Sequence, residues 1–172
     1  MSRLQQAYEL GEYGHRNNLM YDIKKPYFEY CKDMVDLAKT FTDDEEILCS
    51  LYCHGLLETN SLSEENISNI LGDNITYILK ELLEVFNAKN DKEYLSTIDK
   101  LSVKAQTVLC FITAIQSINI LKDCRFYIHS YIRKAETDLN ILTKVNEEVI
   151  KITKNIIDMC CLELEFDKLK HN

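Results

Sequence analysis

Apolar residues recur along most of this chain at intervals of three and four, the spacing of one face of an α-helix. Leu4, Ala7, Tyr8 and Gly11 form the inner stripe of a first helix over about 3–17, with Gly14 weakening its end. Residues 18–26 read as a loop closed by Pro26, which favours an extended Lys25 before it. A second helix follows over about 27–40, with Tyr27, Met34, Val35 and Ala38 on related faces. Thr42-Asp43-Asp44-Glu45 has the form of an N-cap at Thr42 with a capping-box glutamate, opening a helix that runs through His54 and buries Ile47, Leu48 and Leu51. Ser63 caps a short helix with Glu64 and Glu65 in its first turn, and Gly72 stops it. Asp73 then caps a helix reaching about Phe86. Residues 102–121 are apolar on nearly every side, the mark of a central buried helix. A long amphipathic helix closes the chain, with Leu142, Val145, Val149, Ile152, Ile156 and Met159 on its inner face. The pattern predicts an all-α bundle of seven to nine helices.

Composition narrows this without changing it. Four Gly and one Pro in 172 residues favour long helices with short connections over a turn-rich β fold. No repeat, low-complexity run or linker divides the chain, so residues 1–172 are expected to form a single domain. A formal net charge of −8 argues against a nucleic-acid or anionic-membrane surface, both of which need a basic face. The first twenty residues carry Glu9, Glu12 and Arg16 and no apolar core of a signal peptide. No run approaches the ~18 uninterrupted apolar residues of a membrane span. The seven cysteines include no C-x-x-C pair, and Cys49, Cys53, Cys110 and Cys160 fall in helical apolar patterns. A reducing, cytoplasmic setting with free thiols is expected, with the adjacent Cys160 and Cys161 as a candidate exposed thiol pair.

The chemistry-bearing segment is Leu51-Tyr52-Cys53-His54-Gly55-Leu56-Leu57-Glu58-Thr59. It resembles the helix Leu-Leu-His-Asp-Val-Val-Glu-Asp-Thr of the HD-superfamily enzymes that hydrolyse (p)ppGpp, the small alarmone hydrolases and the hydrolase half of RelA/SpoT proteins. Other segments follow in the same order. Ala7-Tyr8-Glu9-Leu10 with His15-Arg16, then Lys25-Pro26-Tyr27-Phe28-Glu29-Tyr30, resemble the family's opening helix and its Pro-Tyr-Ile-x-His motif. Leu71-Gly72-Asp73-Asn74-Ile75 is similar to Phe-Gly-x-x-Val, and Ala105-Gln106-Thr107-Val108 with Ile118-Asn119-Ile120-Leu121 to the segment closing the family's site. No single motif carries the resemblance; the ordered series does, and it implies an HD-type helical bundle.

Position by position, the resemblance implies a lost site. The family's first metal histidine falls on Tyr30, a phenol that is protonated at neutral pH and a poor Mn²⁺ ligand. The second is retained as His54, the aspartate beside it is Gly55, and the last metal aspartate falls on Gln116. Three of four ligands are replaced, so bound Mn²⁺ is expected to be absent, and Glu58, the vestige of the acid/base pair, has no activated water to serve. Asn18, Leu19 and Met20 stand where the family tends to have Gln-Arg-Arg, leaving Arg16, Lys24 and Lys25 as candidate phosphate contacts. The implied function is a catalytically inactive pseudo-hydrolase acting as an interaction or regulatory protein with a protein partner. Two alternatives stand beside it: a nucleotide sensor that binds (p)ppGpp without cleaving it, and a phosphohydrolase with a rebuilt metal site at Cys31, Cys53 and His54. Outside such a site His54 is expected to be a relict, hydrogen-bonded to a backbone carbonyl or a neighbouring Tyr, and His15 to be structural or, as the resemblance also implies, close to the nucleotide, with the structural reading favoured. His129 sits in an aromatic, basic stretch (Arg125, Phe126, Tyr127, Tyr131, Arg133) that can bind a partner or pack on the helix surface. The pattern does not specify an oligomeric state.

Overall fold

The computed structural model of the chain describes residues 1–19, 25–123 and 128–170. Among these residues the elements are α1 (Arg3–His15), α2 (Tyr27–Ala38), α3 (Glu45–Tyr52), α4 (Glu64–Leu71), α5 (Asp73–Phe86), α6 (Asp91–Lys100), α7 (Val103–Asp123), α8 (Ile128–Ile141) and α9 (Glu147–Lys170). No strand is present among them beyond an isolated antiparallel bridge between Leu19 and Pro26. The all-α expectation holds, and so does the count of helices.

The helices begin where side chains can satisfy the free N–H groups of a first turn. Ser2 accepts from Gln5, Ser63 from Asn66 and Asn90 from Glu93. Two caps differ from the expectation. Asp44, not Thr42, caps α3, its carboxylate accepting from the N–H groups of Glu46 and Ile47. Thr42 sits one step back, its hydroxyl accepting from the Asp44 N–H at 3.0 Å. Gly72, with φ +89°, is both the end of α4 and the residue before α5. Asp73 is therefore the first helical residue rather than the cap, and it accepts from the Ser68 hydroxyl. A carboxylate in a first turn still faces the positive end of the helix dipole, so the electrostatic reading of the motif survives.

α7 is the hub: it packs on α9, α3, α8, α2 and α5. By length and hydropathy its Val103–Lys122 stretch is long and apolar enough to cross a bilayer, but 72% of it is buried inside the molecule. The main core gathers Met34, Leu51, Leu56, Ile75, Leu82, Phe111 and Ile112 from four helices and the turn after α3. A second cluster joins Leu121, Ile128, Ile132, Ile157, Cys160 and Leu164 of α7, α8 and α9, and Leu139 touches both. The closing helix starts later than its apolar spacing suggests. Leu142 and Val145 are buried but lie in the connection before α9, and Met159 points outward at 68% exposure. The inner stripe of α9 is instead Val149, Thr153, Ile157, Cys160 and Leu164, one helical face over. Cys160 is buried and Cys161 half-buried, so the pair is not the exposed thiol expected.

Candidate functional site

α3 ends at Tyr52, short of the two residues expected to complete it. The next residues turn rather than continue: Leu56 N–H bonds Cys53 O, and Thr59 N–H bonds Gly55 O. The break is at Gly55, whose φ of +86° is a conformation L side chains rarely adopt. A Cβ built on Gly55 would lie 2.8 Å from the Tyr27 Oη and 3.0 Å from two ring carbons. The space an aspartate side chain would need at this position is thus filled by the Tyr27 phenol.

The fold brings Tyr30, His54, Gly55 and Glu58 to one corner, packed with rings. Tyr27 lies 5.6 Å from Tyr30, 6.0 Å from His54 and 4.6 Å from His15 by ring centroids. Phe86 of α5 closes on His54 at 5.6 Å. Tyr30 is 2% exposed and donates its hydroxyl to the Ile112 carbonyl at 3.4 Å, a long bond that ties α2 to the central helix. Burial drives the Tyr30 and Tyr27 phenols well above their ordinary range, so both are neutral donors rather than anionic ligands. Gln116 is occupied elsewhere, its side-chain oxygen accepting from the Tyr131 hydroxyl at 3.1 Å.

The hydrogen bond expected of the His54 ring is made by His15 instead. His15, not His54, supplies the ring that bonds a carbonyl: its Nε2 lies 2.9 Å from the His54 backbone oxygen. A carbonyl only accepts, so Nε2 carries the proton and Nδ1 accepts from the Asn18 amide at 3.3 Å. The loop residue Asn18 thereby fixes the tautomer that ties α1 to the turn after α3. The structural role expected of His15 holds, but no group among the described residues hydrogen-bonds the His54 ring. Burial lowers the pKa of His15 to about 4, partly offset by its backbone bond, and that of His54 to about 3, with His15 adding to the effect.

The rebuilt metal site does not form. The Cys31 thiol donates to the His54 carbonyl and the Cys53 thiol to the Ala7 carbonyl, each at 3.8 Å, so neither is aimed at the imidazole. Burial raises both thiols far above the range in which a thiolate is available. Among the described residues no three His, Cys, Asp or Glu side chains gather where one metal could bind. The donor set at the corner, one neutral imidazole, one phenol and one separate carboxylate, does not fit a hard dication.

Of the candidate phosphate contacts, Lys24 lies outside the described residues, as do Met20 and the Arg125–Tyr127 part of the aromatic stretch. Lys25 is ion-paired with Asp33 at 2.5 Å, and Arg16 lies over its own helix's Tyr13 ring at 4.0 Å while donating to the Tyr13 carbonyl. Both cations are committed to local partners. His129 and Arg133 are exposed on α8, whereas Tyr131 turns inward to Gln116. A shallow cleft with room for about one water lies against His54, Gly55, Glu58, Leu83 and Phe86. Glu58 stands at its mouth, and desolvation by the apolar wall raises its pKa. Neither this cleft nor the Tyr27–Gly55 contact has a signal in residue spacing, because both depend on how α2 and α5 meet the turn.

No protein-family model matches the chain, and no curated protein matches it. Among solved structures, the fold matches that of a metazoan SpoT orthologue, described as hydrolysing ppGpp with a role in starvation responses. The TM-score is 0.81 over 92% of this chain and 96% of the other, at 13% identity. A likeness at this identity is one of architecture: the chain has the HD-type helical fold of a ppGpp hydrolase.

Proposed function

We propose that this chain is a non-hydrolysing relative built on the alarmone-hydrolase fold and acts as an interaction or regulatory scaffold. The observation that supports it most is the Tyr27 ring filling the side-chain space of Gly55. An aspartate at Gly55 would have to displace the Tyr27 ring and hold a left-handed backbone, and the neighbouring positions present a neutral phenol and a neutral imidazole. Among the described residues, Glu58 has no hydrogen-bond or ion-pair partner through which to act on a water. The cleft is also far smaller than the roughly 300–1,000 Å³ that a small-molecule site needs.

The test is a ppGpp hydrolysis assay on purified protein with added Mn²⁺, paired with elemental analysis. The expected outcome is no turnover and no stoichiometric metal. Turnover abolished by His54→Ala overturns the reading. Micromolar ppGpp binding lost in Lys25→Ala replaces the scaffold with a nucleotide sensor.

A further inference from the structure

The cleft beside His54 has a chemical polarity of its own. Its walls are apolar, with Leu79, Leu83 and Phe86 of α5 on one side, and its two polar side chains are Glu58 and His54. One is the Glu58 carboxylate, which no cation or N–H donor among the described residues meets. The other is the His54 imidazole, whose ring has no hydrogen-bond partner among the described residues. Several acidic groups elsewhere are answered: Glu46 by Lys104 and Asn74, Glu64 by Lys80, Glu29 by Lys32 and Asp138 by Lys134. Glu58 lies against an apolar wall and is left without such an answer.

We propose that this cleft receives the tip of a lysine or arginine side chain from a protein partner. Its methylene stem would lie along Leu83 and Phe86, and its charged head would meet Glu58, with the His54 ring as a second acceptor. Charge complementarity selects a cation, because a phosphate would face the Glu58 carboxylate with no cationic side chain among the described residues beside it. Size selects a side chain over a free molecule, since a space for about one water takes a tip and not a whole ligand. The face of Phe86 adds attraction for a cation held beside it. This inference rests on the scaffold reading and names the chemistry of the partner's anchoring residue.

The test is a methyl-NMR titration of the full chain with n-butylammonium, the lysine side chain without its backbone. n-Butanol and butyrate serve as the neutral and anionic controls. The expected result is shifts confined to Leu79, Leu83 and neighbouring methyls, with the ammonium bound about tenfold more tightly than the alcohol, the scale of a hydrogen bond to a charged group. In Glu58→Gln that preference disappears while the fold, monitored by the remaining resonances, is unchanged. Equal responses to alcohol and ammonium, or an ammonium preference that survives Glu58→Gln, overturns the proposal. A short lysyl peptide should bind at least as well as n-butylammonium; tighter binding of spermidine than of that peptide would assign the cleft to a free polyamine instead. Hydrolysis of ppGpp is scored in a separate assay, so loss of the scaffold reading and loss of this cation site are seen independently.

Discussion

The two ends of α3 are built on opposite electrostatic plans. At its N-terminus Asp44, Glu46 and Lys104 are ionised and paired, with the Lys104 ammonium 2.7 Å from both carboxylates and Asn74 donating to Glu46. Desolvation would raise the Asp44 pKa, but Lys104 and the N–H groups of Glu46 and Ile47 outweigh it and lower it; Lys104 and Asn74 lower that of Glu46. Around its C-terminus, Cys53 and His54 of the following turn and Tyr27 and Tyr30 of α2 are buried and held neutral by desolvation. Charge persists where water and partners answer it, and where rings have closed in only neutral forms remain. The corner where the resembling family holds a metal is here organised as core, with Glu58 alone at its edge.

The largest effect should come from acid. A histidine whose folded pKa lies below its unfolded value of about 6.5 binds its proton more tightly in the unfolded chain. His15 at about 4 and His54 at about 3 therefore stabilise the fold fully above pH ~6.5 and progressively less below it. Each contributes a slope of about 1.4 kcal/mol per pH unit, so the two together give a slope of at most about 2.7 kcal/mol per pH unit between pH ~6 and ~4. Urea midpoints across that range should fall steeply, and His15→Gln should roughly halve the slope. A flat profile would show that the two rings are not buried as described.

Next is Gly55→Asp, which restores the residue type that the resemblance expects. The left-handed backbone and the contact with Tyr27 should destabilise the protein by about 2–5 kcal/mol, read as a drop in denaturation midpoint. No Mn²⁺-dependent turnover should return. A variant of wild-type stability that binds Mn²⁺ would mean that the corner opens readily.

The charged end should respond more gently. Asp44→Ala removes the cap of α3 and should cost about 1 kcal/mol, with little change in the pH slope above pH 6. Lys104→Met breaks two partly exposed pairs; with 39% of its side chain accessible, screening should hold the loss below about 1 kcal/mol, and 0.5 M salt should shrink it further. An effect of Lys104→Met larger than that of Gly55→Asp would invert the comparison between the two ends.

The helical bundle was legible in the chain because three- and four-residue spacing and short polar caps are local properties. Ser63, Gly72 and the apolar run at 102–121 marked their elements correctly. Where local signals competed, neighbours decided. Thr42 and Asp44 are both competent caps, and Asp44 was selected as the residue that could also meet Lys104 from α7. α6 buries only Ile98, too weak an apolar stripe to announce itself. The spacing of Leu142, Val145 and Val149 continues across a break in the helix, since a connection can bury apolar residues as well as a helix can.

The chain by itself determined the all-α class, the order of most of its helices and the residue types at Tyr30, Gly55 and Gln116, because these are matters of identity and spacing. Only the tertiary structure decided what filled the vacated corner. The Tyr27 ring takes the space beside Gly55, the His15 ring rather than that of His54 bonds a backbone carbonyl, and Cys31 and Cys53 turn to backbone oxygens. Each of these joins residues far apart in sequence through close packing, where an ångström of approach decides whether a group is a donor, a ligand or filler. Spacing along one helix carries no record of that distance.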